Sequence, residues 1–185
     1  MTPVLPSLAV ARRARTTILR DGSAVRVRPL EPGEEAGLCR FLEAVSADSL
    51  YSRFFGTPTP ERAAASLAGC GRPGDVVLVA QGGPDRSIVA HAGAFRTGED
   101  RAEAAFLVAD GWQGRGLGSV MLSRLARAAR DLGIATLVAE VLPGNRPMLA
   151  VFQRSGHPVL VQPGAEAVRV LIGTTPLAEA GPLAA

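Results

Sequence analysis

The sequence contains no lysine; all 20 of its basic residues are arginine. A Walker-type phosphate loop, which needs a lysine to reach the terminal phosphates, is excluded on that ground. Cysteine is almost as scarce. Cys39 and Cys70 stand far apart without a C-x-x-C pair, and His91 and His157 have no metal-ligand spacing, so neither a zinc site nor a disulfide framework is indicated. Both thiols read as small buried hydrophobes of a protein kept in a reducing cytoplasm, and no metal is expected.

Other shortages narrow the class further. No apolar run approaches the length that spans a bilayer, so no membrane association is expected. The first twenty residues carry Arg12, Arg13 and Arg15 without an acid, but their apolar stretch precedes the arginines, the reverse of a secretory signal. Residues 1–20 are therefore read as a flexible arm. With 17 acids against 20 arginines the net charge is only +3, too mild a balance for a nucleic-acid binder. What is abundant is apolar residues: 47% of 185 positions, enough for the core of one domain.

Periodicity supplies the order of elements. Ala24–Leu30 alternates as a strand, and a helix from Pro32 to Val45 places Leu38, Phe41, Leu42 and Val45 on one face. An aromatic patch, Ser49–Gly56, precedes a short helix from Pro60 to Ala68 that Gly69 and Gly71 end. Asp75–Gln81 and Ile88–Phe95 read as a hairpin around Gly82–Asp85, and Arg101–Ala109 as the next strand. A helix over 117–132, a strand over 135–142, a helix over 145–155 and a strand over 167–173 follow, leaving 174–185 as a C-terminal tail. Consecutive strands pair antiparallel, whereas the strand-helix-strand unit from Ala102 to Leu142 pairs in parallel. The predicted fold is α/β: one mixed, twisted sheet of six or seven strands, mostly antiparallel with one parallel pair, flanked by about four helices.

The stretch "VADGWQGRGLGS", Val108 to Ser119, is the chemical signal. Glycines at 114, 116 and 118 clear side chains from a strand-to-helix turn, and the helix that follows offers its free N-terminal amides at its positive end. Such a loop suits a diphosphate, with Arg115 either adding a charge-assisted contact or pointing to solvent. The dinucleotide fingerprint G-x-G-x-x-G fits poorly, because the position needing its last glycine is Ser119.

These residues resemble the GNAT superfamily of N-acetyltransferases. Gln113–Gly118 (QGRGLG) fits the Q/R-x-x-G-x-G/A signature, and "NRPMLAVFQRSGH" from Asn145 is similar to the second family motif. Together with "LRDGSAVRVRPLEPGEE", "SLYSRFFG" and "AEAAFLVADGWQGRGLG", the pattern looks like bacterial Pat-type protein lysine acetyltransferases, over residues 21–173 as a single GNAT domain. Those enzymes often carry a fused regulatory domain, and none is expected in these 185 residues.

The resemblance implies acetyl-CoA as acyl donor, held at the pyrophosphate by the amides of Gln113, Gly114, Arg115, Gly116, Leu117, Gly118 and Ser119. Leu107 and Val108 would pair with the pantetheine arm, Asn145 would bond near the pantetheine, and Phe152 with its helix would pack beside the thiol end. Asn145 serves equally as a helix N-cap, and Phe152 equally as core. Glu103 is the expected general base, with Glu140 in reserve. Phe152 stands where many relatives carry a tyrosine acid, so the thiolate leaves unassisted or takes a proton from water. His157 reads as packing at a helix exit rather than a substitute acid, and His91 as structural. Tyr51, Arg53, Phe54 and Phe55 fall where the family places one wall of the acceptor site, and Trp112 either covers the donor or anchors the turn.

The expected reaction is acetyl transfer to a primary amine by direct attack in a ternary complex. The acceptor preferred on resemblance is a protein lysine, for instance of an acyl-CoA synthetase. A small-molecule amine and a non-catalytic acyl-CoA-binding regulatory module are the alternatives. Monomer and homodimer remain open.

Overall fold

A computed structural model describes residues 14–68 and 74–179. The arm up to residue 13, Cys70, the glycines at 69 and 71 and the tail beyond 179 lie outside the described residues.

One eight-stranded sheet runs in the order β1-β2-β3-β4-β5-β6-β8-β7. Its strands are β1 (Arg15–Ile18), β2 (Ala24–Pro29), β3 (Val76–Gly82), β4 (Ser87–Arg96), β5 (Arg101–Val108), β6 (Thr136–Val141), β7 (Val159–Gln162) and β8 (Val168–Gly173). Every neighbouring pair is antiparallel except β5 and β6. The α/β class, the β3–β4 hairpin and the single parallel pair stand as expected; two strands and one helix add to the count.

Each addition has a physical reason. Arg15–Ile18, inside the segment read as an arm, pairs with β2 in register from Arg15↔Val27 to Ile18↔Ala24. The β-branched run Thr16-Thr17-Ile18 suits an edge strand, but four residues are too few for a periodicity signal. The other edge, β7, is equally short and mostly exposed. The aromatic patch folds as a helix whose N-cap, Ser46, accepts from the Ser49 amide at 3.3 Å.

Helices cover both faces. Among the described residues these are α1 (Glu35–Glu43), α2 (Ala47–Phe54), α3 (Pro60–Ala68), α4 (Leu117–Asp131) and α5 (Arg146–Gln153). The predicted stripe of α1 packs with Ala63, Ala64 and Leu67 of α3 on Val79, Leu107 and Ala109. On the opposite face α4 buries Leu117, Met121, Leu122 and Leu125 against Val27, Leu78, Ala92 and Ala104. Full burial of each such leucine contributes about 2 kcal/mol before entropy is subtracted. Strand alternation does the rest: along β5, Ala102 and Ala104 face α4 while Leu107 and Ala109 face α1 and α3.

Candidate active site

The parallel pair is where the sheet opens. β5 and β6 are in register only at Arg101↔Thr136, Ala102↔Leu137 and Glu103↔Val138, although both strands continue. Beyond Glu103 the edge of β5 that faces β6 has no strand partner. Ala109 donates to the Val89 carbonyl of β4 at 3.0 Å, so by the alternation of an antiparallel ladder the main chains of Val108, Phe106 and Ala104 turn the other way, into the gap. Leu107, expected there, instead turns its side chain beneath α1 and its main chain toward β4.

At the end of this open edge lies the glycine loop. No backbone N–H from Gly114 to Ser119 has an acceptor among the described residues, whereas Gln113 donates to Asp110 O at 3.1 Å and Val120 to Gly116 O at 3.2 Å. Gly116 is the N-cap of α4 at φ 91°, a left-handed conformation that glycine adopts without strain. No acid sits in the first turn of α4 to neutralise its positive end. Unsatisfied amides at a helix N-terminus are a ready site for phosphate oxygens.

Side chains of the loop are used differently from the amides. Arg115 is pinned by Asp21 at 2.9 Å and lies 5.0 Å from the Trp112 ring centre, so it braces the loop against the β1–β2 turn. Trp112 in turn packs on Gly82, where a Cβ would come within 2.5 Å of its ring, and so anchors the turn. Gln113 donates to the Val108 carbonyl and to the Ser49 hydroxyl, each at 3.1 Å. Leu117 belongs to the core, and Gly118 lets α5 approach, its missing Cβ lying 3.4 Å from Val151.

A cleft of about 810 Å³ joins these parts. Gly114, Gly118 and Gln113 line one region, Phe106 and Val108 the open edge, and Asn145, Met148 and Phe152 the side made by α5. Asn145 caps α5, its Oδ1 accepting from Met148 N at 3.2 Å, and it also lines the cleft. Phe152 is buried and meets Phe106 edge to face at 5.8 Å between ring centres.

The rest of the cleft is lined by residues of α2, α3, β5 and β6 and by Phe55 at the end of α2. Arg53, Phe54 and Asp48 of α2, Ser66 of α3, Glu103 and Glu140 all face it. Tyr51 stands outside it, half exposed. Glu103 is exposed and sits at the last register pair before the strands part. Glu140 is engaged by Arg169, whose Nε donates to Oε1 at 2.7 Å. Neither histidine enters the lining. His91 is buried with Nε2 2.6 Å from the Leu67 carbonyl, and burial together with the Arg53 charge lowers its pKa to about 3, keeping the ring neutral. His157 Nδ1 lies 2.8 Å from the Gly173 carbonyl, a packing role at the exit of α5.

Sequence reasoning did not find Asp110, which ties the loop to α2. Its carboxylate accepts from Ser46 N at 2.7 Å, Ser46 Oγ at 2.8 Å and Ser49 Oγ at 2.9 Å. The serines lie more than sixty positions away, so no local pattern announces the contact.

No group of metal-ligating side chains was found, and no helix is long and apolar enough to cross a membrane, among the described residues. A splayed parallel pair ending in a loop of free amides is an arrangement that suits a phosphate-bearing acyl carrier. The chain belongs to the acetyltransferase (GNAT) family, whose model matches residues 44–157 and whose members use acetyl-CoA. It is 31% identical over 141 residues to Acetyltransferase Pat of Mycolicibacterium smegmatis, covering 75% of this chain and 42% of that protein. Among solved structures, the GNAT domain of S. lividans PAT superposes with a TM-score of 0.77 at 34% identity, covering 86% of this chain and 96% of that one. The cAMP-binding acyltransferase from Mycobacterium smegmatis follows with 0.61 at 26% identity, over 96% of this chain and 52% of that one. The chain thus spans about half, or less, of the longer relatives.

Proposed function

We propose that this protein transfers the acetyl group of acetyl-CoA to a primary amine, preferably a protein lysine side chain, with Glu103 as general base. The observation that carries the reading is the run of acceptor-free amides from Gly114 to Ser119, set at the end of an unpaired strand edge. The amides would take the pyrophosphate, while the gap-facing main chain of Ala104, Phe106 and Val108 would pair with the amide groups of the pantetheine arm. A main-chain N–H near Val108 would then polarise the thioester carbonyl.

Acceptor chemistry follows from the other half of the cleft. Among the described residues Asp48, Glu103 and Glu140, the last already paired with Arg169, line it against one arginine, a balance that favours an amine over an anionic acceptor. Glu103 takes the ammonium proton, the free amine nitrogen bonds to the thioester carbon, and collapse of the tetrahedral adduct breaks the C–S bond. Phe152 has no proton to give, so the second proton, which the nitrogen sheds as the adduct collapses to the amide, passes through water to the departing thiolate. The preference for protein lysine rests on the likeness to the Pat proteins. Residues 21–173, with β1 added, are the unit proposed to carry the activity.

Thiol release from acetyl-CoA, measured across protein and small amines, tests the reading. We expect turnover with acetylated lysine as product, and a fall of about 10²- to 10⁴-fold in kcat for Glu103→Gln with acetyl-CoA affinity intact. Glu140→Gln should change the rate only a few-fold, because Glu140 is held by Arg169. Binding of acetyl-CoA without thiol release would sink the enzyme reading, and loss of activity in Glu140→Gln alone would move the base.

A further inference from the structure

Arg53 is the anomaly of the acceptor region. Its guanidinium lines the cleft and lies 4.8 Å from the Phe54 ring centre, yet among the described residues it makes no ion pair and no hydrogen bond. Its Nε is buried without an acceptor. Water is withheld from much of this charge, which is costly unless the charge does something.

Its surroundings define what that is. From β5 comes Glu103, close enough to attract Arg53 but beyond ion-pair distance; from β4 comes His91, held neutral. α2 itself adds Asp48, β6 adds Glu140 already engaged by Arg169 of β8, and α3 adds only the uncharged Ser66 to the lining. Among the described residues Arg53 is therefore the one cation lining the region where, on this reading, an amine sheds a proton beside Glu103.

We propose that Arg53 disfavours the ammonium form of the bound acceptor, so that the amine reaches the thioester as a neutral nucleophile. This rests on the acetyltransfer reading given above. The physical basis is that a like charge nearby, in a partly dry cleft, penalises protonation of an amine, while Glu103 receives the proton released. The two side chains act in opposite senses on the same proton: one accepts it, the other makes it easier to lose. An arginine suits the task because it keeps its own charge when partly buried, where a lysine would titrate or be acetylated.

The test uses ethylamine and trifluoroethylamine, similar in size, of which the first is an ammonium ion at pH 7 and the second is largely neutral. With acetyl-CoA as donor, Arg53→Gln and Arg53→Met should each lower kcat for ethylamine roughly tenfold at neutral pH, with KM falling in step because the unreactive ammonium complex is no longer penalised, and leave kcat for trifluoroethylamine within about twofold. The ethylamine deficit should close as pH rises toward the amine's own pKa. Arg53→Met should melt no lower than the wild type, because it removes an unpaired, partly buried charge. Equal losses with both amines, or no loss with either, would overturn the inference while leaving the acetyltransferase reading intact. Absence of thiol release by the wild type with any amine would overturn both.

Discussion

Asp110 binds Ser46 through both carboxylate oxygens, Oδ2 taking the amide at 2.7 Å and Oδ1 the hydroxyl at 2.8 Å. Asp110 follows the strand edge proposed for the donor, and Ser46 caps α2, proposed above as part of the acceptor wall. Because α2 has no fully buried residue, this hydrogen-bonded joint, extended by Ser49 and Gln113, does much of the work of positioning the helix. Asp110→Ala should therefore raise KM for the amine by roughly tenfold while the Kd for acetyl-CoA stays within about twofold. Calorimetry for the donor and steady-state kinetics for the acceptor separate the two; equal weakening of both would show that Asp110 supports the loop instead.

Gly116 and Gly133 bracket α4, with φ of 91° and 78°. Alanine at either position is strained by about 1–2 kcal/mol, which chemical denaturation should register similarly for both. Only Gly116→Ala should also weaken acetyl-CoA binding, by about tenfold, since only its amide belongs to the free run. Matching donor affinities in the two variants would count against the loop as the phosphate site.

Arg28 and Glu34 form a fork, Nη1 to Oε2 at 2.7 Å and Nη2 to Oε1 at 2.6 Å, with the arginine largely buried. The Arg28 hydrogen bonds hold the Glu34 carboxyl below its ordinary 4.5. A depressed carboxylate stabilises the fold above its unfolded value, and that contribution is lost as pH falls through the folded value. Glu34→Gln should cost about 2 kcal/mol at neutral pH by urea titration, with the gap to wild type narrowing as pH falls below the ordinary carboxylate range and through the lowered folded value. A gap independent of pH would assign the loss to packing.

Much of the donor side was legible before the coordinates. The stripe on α4, the hairpin and the glycine turn all depend on neighbours a few residues apart, which periodicity and φ preferences report. α2 escaped because its apolar face, Leu50 and Phe54, is confined to eight residues and only partly buried, too short a run for periodicity to separate from a loop. β1 and β7 escaped because edge strands of four residues are selected by the neighbours they meet, not by their own pattern.

Local chemistry in the chain settled where the backbone can be bare: three glycines in alternate positions leave amides uncovered at the head of an apolar helix, whatever packs around them. Tertiary packing decided what those amides stand beside and how the charges are spent. It ended the β5–β6 ladder at Glu103↔Val138, turned Arg115 onto Asp21, engaged Glu140 with Arg169 and left Arg53 without a partner among the described residues. Backbone freedom belongs to single residues and their immediate neighbours, whereas the pairing of charges depends on which distant strands the core brings side by side.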